Sequence, residues 1–158
     1  MTAQLTTPRD SVAARRIRHR SVFPVGVSAL LFAAGCAQPP TESESLRLSE
    51  QYFAENNSAA AEGPQAQQEF FRRTQHPDFQ DQTCDLGTIT VELDPALSTL
   101  RPDPGFAPDG AKPRGEIWVV GVEVTTRSAG STTGHQIGSQ HLVLLDGRMH
   151  GFAPCPTG

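Results

Sequence analysis

Hydrophobic and polar positions change period several times along this chain, and the changes mark its parts. Residues 21 to 36 are an almost unbroken apolar run, with Arg15, Arg16, Arg18, His19 and Arg20 ahead of it. Residues 37 to 45 are polar, acidic and proline-containing, with nothing to bury, and read as a tether. From about Leu46 the apolar positions take a helical period: Leu48, Tyr52 and Phe53 share one face, Thr41 and Glu44 stand at capping-box spacing, and Gly63-Pro64 breaks the run. A second helix is predicted from Pro64 to Gln75, with Ala66, Phe70 and Phe71 as its stripe and His76-Pro77 as its stop.

Beyond residue 87 the period drops to two. Thr88 to Leu93 alternates, with Ile89, Val91 and Leu93 inward, and Glu116 to Thr126 is the strongest strand, with Trp118, Val120, Val122 and Val124 on one face. Between them, Asp94 to Arg114 carries Pro95, Pro102, Pro104, Pro108 and Pro113 and is expected to be a long loop outside the sheet. Ser128 to Ser131 turns the chain into a strand from about Thr133 to Leu145, and Asp146-Gly147 is a hairpin signal leading into Arg148 to Phe152. Two helices followed by an antiparallel meander predict an α+β domain over residues 46–158, with the helices packed on one face of a curved sheet.

The apolar run and its basic flank have the form of a secretory signal. From Ser21 to Gly35 a full helix would reach only about 22 Å, short of the roughly 30 Å of a bilayer core, so a permanent span is disfavoured. The run ends Ala33-Ala34-Gly35-Cys36 and resembles the lipobox of bacterial lipoproteins. That resemblance implies cleavage of residues 1–35 and a diacylglyceryl thioether on Cys36, holding the mature chain to the extracytoplasmic side of the cell membrane. Each buried methylene contributes about 0.8 kcal/mol, so two or three acyl chains anchor stably where one would not. Ordinary secretory cleavage after Ala34 or Gly35 is the competing reading. Arg15-Arg16 leaves Sec and twin-arginine export both open.

Charge divides at the same place. Residues 1 to 35 hold five arginines against Asp10, leaving eight basic and sixteen acidic residues after them, a net charge of −8. So acidic a domain repels phosphate backbones, and nucleic-acid binding is not expected. With Cys36 on lipid, Cys84 and Cys155 remain, and in an exported protein the pair reads as one disulfide worth about 4 kcal/mol for a loop of roughly 70 residues.

The order of elements, with Tyr52 to Asn57 in the helical half and Asp146-Gly147-Arg148 closing the meander, resembles the cystatin-like roll of the nuclear-transport-factor-like superfamily. A rival resemblance, carried by Gly115 to Val124, is to small immunoglobulin-like β-sandwiches, in which residues 46 to 76 would have no place.

Four histidines follow the signal, His76, His135, His141 and His150. A metal or acid/base site needs some of them to converge with a carboxylate such as Glu123 or Asp85. His141 and Glu123 are the first candidates, because enzymes of the resembled superfamily use a His/Asp-type pair inside the cone. No ligand spacing marks a metal site, no G-x-S-x-G elbow surrounds Ser131 to Gly134, and no glycine-rich cradle points to a cofactor. Trp118 is expected in the core, and the proline loop with Phe106 at its centre is either a partner contact or an apolar cap folded over the sheet. The expectation is a lipid-anchored, non-enzymatic module that binds or assembles with an envelope protein. The alternative is a roll with an internal pocket that binds or transforms a small apolar molecule.

Overall fold

The structure, a computed structural model, describes residues 41–82 and 85–153. The expected signal peptide and the three cysteines, Cys36, Cys84 and Cys155, lie outside the described residues. Two helices, α1 (Glu42–Glu62) and α2 (Pro64–Thr74), precede four strands, β1 (Ile89–Pro102), β2 (Glu116–Ser128), β3 (Ser131–Leu145) and β4 (Arg148–Gly151). The strands form one antiparallel sheet in sequential order. Helices N-terminal to an open antiparallel sheet make the fold α+β, in the arrangement of a cystatin-like roll. The immunoglobulin-like sandwich is excluded, since the described strands make a single sheet and its covering layer is helical.

α1 begins at Glu42, not near Leu46, so residues 42–45 of the expected tether are helical. Thr41 is extended, and its carbonyl accepts from the amides of Glu44 at 2.8 Å and Ser45 at 3.1 Å. Glu42 and Glu44 sit in the first turn, where the helix dipole favours negative charge. The capping box does not form, because the Thr41 hydroxyl lies 2.9 Å from that of Ser43. Gly63, at φ 125°, reverses the chain, and Pro64 starts α2 at a position needing no amide partner.

Pro95 and Pro102 lie inside β1 rather than in the expected loop, which shortens to the residues between β1 and β2. β1 is an edge strand. Val91 and Leu93 turn their backbone groups away from β2, as their bonds to helix side chains show, and alternation gives Pro95 the same orientation. Its missing amide therefore costs no ladder bond. A register shift between Ala96 and Arg101 absorbs the rest of the irregularity.

The apolar faces follow the alternation. Val91, Leu93, Trp118, Val120, Val122, Leu142 and Leu144 pack under Tyr52, Phe53, Phe70 and Phe71 of the helices. Both tight hairpins use two left-handed residues, Ala129 and Gly130 (φ 49° and 79°) and Asp146 and Gly147 (φ 50° and 73°), which matches the strand twist. On the opposite face, Ile117, Val119 and Val143 are also buried at one end of the sheet. Aromatic rings gather on that side: Phe79, Phe106 and Phe152 with the fully buried His76.

Candidate functional site

The first-choice pair does not meet. Register places His141 opposite Val119 and Glu123 opposite Ile137, four residues along the same face, or about 13 Å at strand rise. Each has another partner. His141 Nε2 lies 2.9 Å from Asp103 Oδ2, and its ring stacks on Phe106 at 3.7 Å between centroids and 9° between planes. Glu123 Oε1 lies 2.6 Å from His135 Nε2, with both side chains about half exposed. The His141 bond holds the Asp103 carboxyl below its usual range, against a smaller opposing effect of desolvation. Of the two readings of Phe106, the structure has the apolar cap: stacked on His141, it closes the proline loop onto the sheet.

His76 accepts the Asp78 amide at Nδ1 (3.1 Å), so its Nε2 carries the proton and donates to the Arg114 carbonyl at 2.9 Å. Burial, with the neighbouring His76 next, pushes the His150 pKa down. Arg114 also clasps Asp78 at 2.7 Å, fixing the far end of the proline loop and lowering the Asp78 pKa. Asp85 accepts the Gly87 amide at 2.8 Å in a local turn. Among the described residues no three His, Cys, Asp or Glu side chains converge on a metal position.

The two long edges of the sheet are where the chain has built something unforeseen. At β1, buried Gln67 of α2 accepts the Val91 amide at 2.8 Å and donates back to the Val91 carbonyl, an imitation of a pairing strand. Asn57 of α1 does the same to Leu93, at 2.9 and 2.8 Å. Buried Asn56 links them, donating to the Val91 carbonyl at 3.1 Å and accepting from Gln67 at 3.0 Å. A signal was present in the sequence: Asn56 follows Tyr52 by four, and Gln67 precedes Phe70 and Phe71 by three and four, so amides stand within the apolar stripes.

At β3 the opposite holds. β4 covers only Leu142 to Leu145, so among the described residues no strand lies beyond Ser131 to His141. Alternation turns the backbone groups of His135, Ile137 and Ser139 outward. Gln140 donates to the His141 carbonyl at 3.2 Å and the Phe152 carbonyl at 3.1 Å, closing the end of this open stretch. Its side chains include no proline, lysine or carboxylate, the usual guards of an edge. Ile137 is 83% exposed, the most exposed large hydrophobic side chain among the described residues.

Among the described residues, Trp118, Val120, Val122 and Val124 fill the space under the helices where the expected pocket would lie. A half-open groove of about 390 Å³ lies elsewhere, between α1, the end of α2 and the β3–β4 hairpin, and neither His141 nor Glu123 lines it.

An α+β protein with a packed interior, one guarded sheet edge and one bare edge is the class these observations define. No family model matches the chain, and no curated protein matches it. Among solved structures, it is similar to the solution structure of the transfer protein TraH from the Gram-positive conjugative plasmid pIP501. The TM-score is 0.39 at 6% identity, over 77% of this chain and 98% of that one.

Proposed function

We propose that the protein is a lipid-anchored, non-catalytic binding module on the extracytoplasmic side of the cell membrane, which takes an extended segment of another envelope protein onto the outer edge of β3. The anchor rests on the run from Ser21 to Cys36, and the recruitment rests on one observation, the bare backbone edge at His135, Ile137 and Ser139 beside exposed Ile137. Strand addition draws its affinity from main-chain hydrogen bonds and its selectivity from alternate side chains. Here Ile137 provides the apolar contact, between His135 and Ser139 on the same face.

A photo-crosslinking residue in place of Ile137, introduced into the lipidated protein in its own envelope, tests this directly. The expected result is a covalent adduct with one defined second protein, lost when Ser139→Pro blocks the outer edge. No adduct, or one indifferent to Ser139→Pro, overturns the reading, and an adduct of the protein with itself replaces the partner by a second copy. Cys36→Ala is expected to release the protein from the membrane fraction. Retention there would contradict lipid attachment.

A further inference from the structure

Basic residues are scarce after residue 35, yet three of the eight, Arg47, Arg73 and Arg148, line this 390 Å³ groove together with His150. Of the other arginines, Arg72 pairs with Glu69, Arg114 with Asp78 and Arg127 with Glu92, while Arg101 stands exposed on β1 and does not line the groove. Within the groove, Glu55 is the only lining carboxylate, and it lies 3.7 Å from Arg73. Arg47 and Arg148 have no ion-pair or hydrogen-bond partner among the described residues. His150 adds a buried Nδ1 without a hydrogen-bond partner. Two unpaired guanidinium groups thus share a concavity of a domain whose net charge is −8, on a wall that also presents Leu48 and Met149.

We propose that this groove binds a small organic anion, with a phosphate or carboxylate head held by Arg47 and Arg148 and an apolar portion against Leu48 and Met149. Guanidinium forks match both oxyanions with paired hydrogen bonds. A volume of this size suits a small molecule or a lipid headgroup rather than a peptide strand. The site is separate from the β3 edge and stands or falls independently of strand addition there.

Three probes distinguish the sources of the anion: inorganic phosphate, hexanoate, and dihexanoylphosphatidylglycerol below its micellar concentration. Each is titrated into the purified full chain and followed by NMR of the arginine side-chain N–H groups. Saturable shifts at Arg47 and Arg148 are expected, with Arg47→Gln and Arg148→Gln each weakening binding about tenfold. Glu55→Gln is expected to tighten it. A preference for the diacyl probe identifies a lipid headgroup, equal binding of inorganic phosphate a free phosphate compound, and a preference for hexanoate a carboxylate. No saturable shift with any probe, or shifts that survive the double glutamine variant, would overturn the site. An unchanged unfolding midpoint in the variants, both at exposed positions, establishes that the fold is intact.

Discussion

The two edges of the sheet face the same physical problem and answer it differently. Any edge strand presents unpaired amides and carbonyls, which invite pairing with another chain. At β1, Gln67 and Asn57 satisfy Val91 and Leu93 with side-chain amides fixed by the packing of the helices. At β3, the groups of His135, Ile137 and Ser139 have no pairing strand among the described residues, and an exposed isoleucine stands among them. One edge is sealed as part of the core. The other retains the geometry of a ladder without its partner, which is the reason to look for function there.

The widest separation between the edges should appear in amide hydrogen exchange. Val91 and Leu93 are expected to exchange on the order of a thousandfold more slowly than His135, Ile137 and Ser139, because the former open only with the core. Similar rates at both edges would erase the distinction. Next in size is Gln67→Leu, which leaves the Val91 amide and the buried Asn56 Oδ1 without the partner Gln67 supplies and should cost about 3 kcal/mol in urea unfolding. Asn57→Ala, at a partly buried position, should cost about 1 kcal/mol.

Acid sharpens the comparison at the end of the bare edge, where the His141–Asp103 clasp holds the proline loop. Asp103 and Asp78 both have folded pKa values below the ordinary 3.8, so their stabilisation is present above that value and lost as pH falls through the depressed ones. Asp103→Asn and Asp78→Asn should each flatten the acid limb of a stability profile. His150, depressed from 6.5 by burial, contributes in the same direction at higher pH, its neutral form favouring the folded state above about 6.5 and its protonation opposing it below. A profile flat from pH 7 to 3 would contradict these assignments. The smallest effect belongs to Ser139→Pro, which blocks an outward amide without touching the β2 ladder. It should change stability by less than about 1 kcal/mol while abolishing strand addition.

Much of this was legible because it depends on side-chain period alone. The alternation of Trp118, Val120, Val122 and Val124 fixed the buried face of β2, and Asp146-Gly147 fixed the last hairpin. Pro95 misled for a physical reason: a proline breaks a ladder only if its nitrogen faces the neighbour, and that depends on which side of β1 is paired. His141 and Glu123 were linked by analogy with the interior of a cone. The register separates them and supplies nearer partners, Asp103 across the loop and His135 on the next strand.

Local sequence determined which segments are helix and which are strand, the turn residues and the main buried face, though not the extension of β1 through Pro95 and Pro102, because hydrophobic period and backbone preference act over a few residues. It also carried, in the run from Ser21 to Cys36, the basis for expecting a lipid anchor. Only the tertiary structure decided which edge of the sheet would be sealed, since that required Gln67 and Asn57 to reach β1 residues 24 and 36 positions away. The gathering of Arg47 and Arg148 at one groove was likewise settled by packing, because the juxtaposition of distant residues is a property of the folded chain and leaves no periodic trace.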